Sequence, residues 1–453
     1  MTNIDPERIA ELTDRLEQEL TDRTPRSMEV FERARLVMPG GVPSSFQERD
    51  PHPIYVSGGS GSKVVDVDGN EYIDFHNGFG VMVVGHAHPA VVTAITKTAG
   101  QGTHFAAPNE TSVRVAEELA RRFRLPKVRF CNSGTEATMD AVHLARGFTG
   151  KDCIVKIEGT YHGHHDAVMV SVKPPPDKLG PLDAPASNPF SGGIPRAETN
   201  LTLVVPFNDA DALERLLSAR DDIAGVIVEP IMLNIGVVMP KPGYLEAVRE
   251  ITARHGVVLI FDEVKTGITI AAGGAVEYLG VVPDIVCLAK AIGGGVPTGA
   301  VLGTEEVMAT ITEGKVKQLG TFNGNPLSMA AAEATLFEVM TPHAYKRLGE
   351  AAERIEGGCR EVIDRYGLPA YTVGVLSKGC VMFSEETITD YRSYAAHFRE
   401  DLNNLGWLFH MTNGVFMTPG GDEQWTLSVA HSDADLDHYV GVFEEFAKSV
   451  MVS

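Results

Sequence analysis

The stretch "GVVLIFDEVKTGITIAAGGAVEYLGVVPDIVCLAK", Gly256 to Lys290, contains two short apolar runs, and each ends on charge. The first delivers Asp262 and Glu263; the second delivers Lys290. Runs of this length and composition read as strands buried on both faces. The separation of Asp262 and Lys290 is about one strand–helix–strand unit, which puts both on neighbouring strand ends facing one crevice. A charge in such surroundings loses hydration. A lysine amine there either reaches solvent along its own stem or falls from its reference pKa of about 10.4. The second outcome is how catalytic lysines are made.

Outward from this unit, further runs of the same kind alternate with helical stretches: "KVRFCNSG", "DCIVKIEG", "LTLVVPF" and "IAGVIVEP". Together they predict an α/β lobe built on a mostly parallel sheet, with functional residues in the loops past the strands' carboxyl ends. Ahead of it, Ile9, Leu12, Leu16 and Leu20 recur at helical spacing in an amphipathic arm from Pro6 to about Met38. "KVVDVDGNEYIDF", Lys63 to Phe75, reads as a β-hairpin turning at Asp68-Gly69. Between Val172 and Asn200 a segment dense in Pro, Gly and Ser predicts a long loop, a lid or an interface element. Beyond about Thr341 an amphipathic helix and mixed strands predict a second, smaller α+β lobe. The expected division is therefore 1–75 for the arm and hairpin, 76–340 for the large domain and 341–453 for the small one.

The 453 residues exceed one ordinary core, and a net charge of −21 argues against nucleic acid or an anionic membrane as partner. The amino terminus has no signal-peptide pattern, and no run is apolar enough to span a membrane. Five scattered cysteines, none in a CxxC spacing, suit reduced thiols and no zinc site. The cytoplasm is the expected location, with no metal.

Four strand ends carry unusual chemistry. In "FCNSGTEA" a strand gives way to Ser133-Gly134-Thr135 at a helix start, which is either a phosphate cup or an ordinary N-cap. In "EGTYHGHHD" Tyr161 and His162 follow a strand; the aromatic ring could cover a planar ligand or simply sit at the surface. The third and fourth ends are those of Asp262 and Lys290. As a set they ask for one ligand with an anion, a flat ring, a cationic ring nitrogen and a reactive carbonyl. Pyridoxal 5′-phosphate (PLP) has all four.

The segments "NSGTEA", "YHGHHD", Glu229-Pro230, "FDEVKTG", "LAKAIGGGVPTGA" and "GTFNGNPLSMAAA" stand in the order of the class III (ω-) aminotransferases. Over nearly its whole length the chain resembles that family of fold-type I PLP enzymes. "MPGGV", "GHAHP" and "SVAHSDADLD" are similar to its glutamate-1-semialdehyde aminomutase branch. The resemblance implies a large lobe with a seven-stranded sheet between helices, and a small lobe drawn from both chain ends. It implies Lys290 as the Schiff-base lysine and Asp262 as partner of the pyridine nitrogen. Val264 would pack on the ring face opposite Tyr161, and Ser133, Gly134 and Thr135 would hold the phosphate. His162 and Glu229 complete the cofactor set, and Thr321 would reach the phosphate of a neighbouring subunit in a homodimer. Phe46, Gln47, Phe79, Glu423 and Trp425 are the substrate-side candidates.

One departure bears on substrate. Gln47 stands where the aminomutase has a carboxylate-binding arginine, with Arg49 two residues on. A guanidinium fork is not replaced by glutamine or lysine. The expected activity is thus ping-pong transfer of an amino group from an amine or an ω- or β-amino acid to a keto acid or aldehyde. The alternative is an aminomutase-like shift within one molecule; a non-catalytic PLP-binding protein is the remote alternative.

Overall fold

The computed structural model describes residues 4–451. Its largest sheet has seven strands, in the order Lys127–Cys131, Gly299–Gly303, Ile285–Leu288, Val258–Asp262, Ile223–Val228, Cys153–Ile157, Thr202–Val205. From Ile285–Leu288 to Thr202–Val205 all neighbours are parallel, whereas Gly299–Gly303 runs antiparallel to both strands beside it. The four strands Cys153–Ile157, Ile223–Val228, Val258–Asp262 and Ile285–Leu288 are buried along their whole length, as helices on both faces require. Asp262 pairs with Cys287, so the carboxylate and Lys290, three residues beyond Cys287, emerge at the same sheet edge.

Six of these strands are the apolar runs legible in the sequence. The seventh, "GAVLG", is masked by its terminal glycines, which carry no side chain to give a β signal. Packing demands one of them: a Cβ on Gly299 would come within 2.8 Å of the Ser133 carbonyl oxygen.

The hairpin forms as read, Lys63–Asp66 against Glu71–Asp74, with Gly69 at φ 91° in its turn. Asp66 fixes that turn by accepting from the backbone N–H of Asp68 at 2.9 Å and of Asn70 at 2.8 Å. Val415–Phe416 joins the hairpin as a parallel strand, so the two chain ends build one sheet. A three-stranded sheet of Tyr371–Val375, Lys378–Met382 and Trp425–Thr426 lies in the C-terminal part.

The amphipathic arm becomes two helices, Pro6–Arg23 and Pro25–Arg35. Asp5 caps the first, accepting from the Glu7 N–H at 3.0 Å. Its stripe of Ile9, Leu12, Leu16 and Leu20 is buried, and the helix packs on Glu400–Thr412 of the same chain. The Pro-rich segment is mostly irregular, with one short turn at Pro176–Lys178 and a helix at Arg196–Asn200. It is anchored: Arg392 donates to the carbonyls of Leu179 and Gly180 at 3.1 and 3.0 Å while pairing with Glu158 at 2.8 Å. Among the described residues no helix is long and apolar enough to cross a membrane. All five cysteines are buried and unpaired, and no group of potential ligands could hold a metal ion among the described residues.

Candidate active site

A cavity of about 370 Å³ opens at the edge where Asp262 and Lys290 emerge. Lys290 follows the Ile285–Leu288 strand at φ 48°, a left-handed conformation that lysine rarely adopts. Holding a non-glycine residue there costs on the order of 1–3 kcal/mol, and such outliers cluster at functional sites. Burial lowers the Lys290 amine from its ordinary value, and the positive charge of Lys265 lowers it further, against the opposing pull of Glu423 and Asp262. A lowered amine is the better nucleophile near neutral pH.

The two acids at the end of Val258–Asp262 diverge. Asp262 lines the cavity, where its carboxylate meets His162 Nδ1 at 2.7 Å and accepts the Val264 N–H at 3.0 Å. Glu263 points away and accepts from the backbone N–H of Ala275 and Val276 and from the Thr266 hydroxyl, tying down the next turn. Asp262 is thus the functional acid and Glu263 a structural one.

Ser133 caps the helix Gly134–Thr149, accepting from the Glu136 N–H at 3.2 Å, and Ser133, Gly134 and Thr135 also line the cavity. The N-cap and anion-site readings therefore describe the same residues. Gly134 is required on packing grounds, since a Cβ there would lie 2.8 Å from Val264 Cγ1. Tyr161 and His162 stand on the wall, their loop held by Glu229, which accepts the Tyr161 N–H at 3.2 Å and the Asn234 amide at 2.8 Å. Burial raises the Glu229 carboxyl from its ordinary value.

Three wall residues went unassigned by sequence reasoning. Asn132 directly precedes the Ser-Gly-Thr helix start, and that adjacency was the available signal. Thr298 lines the cavity with a buried hydroxyl that has no hydrogen-bond partner. Lys265 is the third, and no local pattern marks it, because its partners are distant in sequence. Its ammonium donates to the Leu233 carbonyl at 2.7 Å, Asp422 at 2.9 Å and Glu423 at 2.6 Å, which uses all three hydrogens. Burial would raise the Asp422 carboxyl, but Lys265 and Lys173 hold it down at about 2. Lys378 faces Glu423 at 3.4 Å, and burial pushes its amine down to about 8.

The remaining sequence candidates disperse. Phe46 lines this cavity, with its ring edge-on to Tyr161 at 5.6 Å, whereas Gln47 and Phe79 line a neighbouring one. Glu423 is buried behind Lys265. Trp425 borders neither cavity: it is fully buried, against Gly379 and edge-on to Tyr439 at 5.7 Å. The alternation of its short strand turns this large ring into the core. Thr321 is exposed in a third cavity beside His104 and Phe105.

The wall fits PLP. A helix start with a bare glycine, an unpartnered buried hydroxyl, an aromatic ring, a carboxylate and a lowered lysine amine converge on one space of ligand size.

Comparison with known proteins agrees with this geometry. The chain is 42% identical over 424 residues to a glutamate-1-semialdehyde 2,1-aminomutase of Methanosphaera stadtmanae, covering 92% of this chain and 97% of that protein. A crystal structure of an omega-transaminase from Sphaerobacter thermophilus superposes with a TM-score of 0.88 at 35% identity, over 94% of this chain and 97% of that one. A variant of a glutamate-1-semialdehyde-aminomutase from Pseudomonas aeruginosa, in complex with PMP, gives 0.90 at 29% identity over 99% of both chains. Residues 45–415 match the family described as aminotransferase class-III, and the chain belongs to that family.

Proposed function

We propose that the chain moves an amino group using PLP bound at Lys290, and that it does so within one substrate molecule, as an aminomutase. The comparisons back this alternative better than the intermolecular transfer expected from the sequence: the aminomutase relative matches almost end to end. The observation that carries amino transfer itself is the meeting of Lys290, Asp262, Tyr161 and the Gly134–Thr149 helix start in one cavity.

When bound, PLP supplies an aldehyde for the amine and a ring that takes up the electron pair released at the substrate carbon. Asp262, oriented by His162, holds the proton on the ring nitrogen. Ser133, Gly134 and Thr135 receive the phosphate. Tyr161 and Val264 cover the ring faces. Lys290 Nζ, once released, carries the proton to and from the substrate carbon.

One observation favours a second reading, intermolecular transamination. No arginine lines the cavity among the described residues, and Lys265 has no donor to spare for a substrate carboxylate. Incubation of purified holoenzyme with glutamate-1-semialdehyde alone separates the two. Conversion without a keto acceptor supports the aminomutase; turnover that requires an added keto acid supports the transaminase and removes the first reading.

We further propose a homodimer. Thr321 lies beside the exposed apolar side chains of Phe105, Leu319 and Phe322, a surface suited to a second copy. Sedimentation at the monomer mass across micromolar concentrations would exclude it. Five unpaired cysteines suit a reducing compartment, which favours the cytoplasm.

A further inference from the structure

Beside the cavity that holds Lys290 lies a second of about 390 Å³, and the two share Phe46 as a wall. The second is enclosed by apolar side chains from both chain ends, among them Leu20 and Met38 of the N-terminal part and Trp407 and Met411 of the Glu400–Thr412 helix. The Phe46 ring meets Tyr161 edge-on at 5.6 Å and Phe79 at 5.7 Å, so it stands between the two spaces. It sits on a short turn, Ser45–Gln47, and is 53% exposed, so its rotation disturbs little packing.

Two polar groups interrupt the apolar wall. Arg49 is half-buried, and its guanidinium donates only to the carbonyls of Phe46, at 2.9 Å, and Glu48; among the described residues it makes no ion pair. Three of its five N–H groups are left without a protein acceptor. His52 is buried at 1% exposure, with Nε2 at 2.9 Å from the Thr24 hydroxyl and with Nδ1 lacking any partner. An apolar space with an uncommitted guanidinium and an unpartnered imidazole nitrogen fits an aliphatic chain that ends in a carboxylate.

We propose that this second cavity is a substrate subsite: it takes the aliphatic chain of an amino acid whose amino group reacts at Lys290 and whose distal carboxylate pairs with Arg49, with Phe46 turning aside to admit the chain. This rests on the amino-transfer reading of the Lys290 cavity. It also accounts for a cavity wall that offers no guanidinium near the reacting carbon: the carboxylate is recognised at the far end instead.

The test is calorimetric titration of the holoenzyme with octanoate, beside activity with an ω-amino acid series of increasing length. Octanoate is expected to bind saturably and to compete with the longer amino donors. Arg49→Gln and Arg49→Lys, which remove the fork from a surface turn, are expected to weaken octanoate binding about tenfold or more. Octanoate that fails to bind, or that binds both variants as tightly as the unaltered enzyme, overturns the subsite. Transfer that persists while octanoate binding is absent overturns the subsite and spares the amino-transfer reading. Saturable octanoate binding with no transfer from any donor overturns the amino-transfer reading and leaves a carboxylate site with no substrate role.

Discussion

Lys290 owes its character to three circumstances: burial, a left-handed backbone and the ammonium of Lys265 on the same wall. Replacing it by alanine is expected to reduce turnover by about 10²–10⁴-fold, the range for losing a positioned proton carrier. Steady-state rates with a saturating donor measure this; a variant that turns over at the unaltered rate would remove Lys290 from the chemistry. Lys265 gives a second prediction with a definite sign. Its positive charge lowers the Lys290 amine, so Lys265→Met raises it. The loss also frees Asp422 and Glu423, whose charges act in the same upward direction. The rate at which apoenzyme takes up PLP needs the neutral amine, and its pH midpoint is expected to move to higher pH. A midpoint that stays put or moves acid contradicts the coupling.

The elements that matter most are the strand ends and the helix that starts at Gly134. Here the sequence was informative, because the apolar runs, the Ser-Gly-Thr start and the acid–lysine separation are local features. Gly134→Ala would place a methyl group 2.8 Å from Val264 Cγ1, at the helix turn facing the cavity. Overpacking of this kind costs about 1–3 kcal/mol. It is expected to appear as PLP affinity weakened about tenfold, read by equilibrium dialysis; unchanged affinity means that Val264 yields freely. The three glycines after Lys290 also acquire distinct reasons. Gly294, at φ 55°, lies where a Cβ would strike the Thr335 hydroxyl, and Gly295, at φ 103°, is itself a cavity wall. Their sequence pattern signals a tight turn but not what presses against it.

Across the whole molecule, the ends of the chain meet. The hairpin pairs with Val415–Phe416, and the helix Pro6–Arg23 packs on Glu400–Thr412, which also walls the second cavity. Leu12 is 1% exposed within that contact. Leu12→Ala is expected to cost about 2–5 kcal/mol, seen as a lower urea midpoint at unchanged slope. A midpoint that does not move would mean that the arm is not part of the cooperative unit.

The sequence by itself determined the α/β class, six of the seven strands, the hairpin, and the residues that meet PLP. Each is written in a window of a few residues, where strand burial, turn chemistry and helix starts leave their mark. Only the tertiary structure decided which acid of the Asp262-Glu263 pair faces the cavity, that His162 orients it, and that Lys265 is bound to Asp422 and Glu423. It alone separated Gln47 and Phe79 from the Lys290 cavity and turned Trp425 into the core. These outcomes depend on contacts between segments far apart in the chain. Local propensity carries no record of such contacts, because what fixes them is the packing of one buried surface against another.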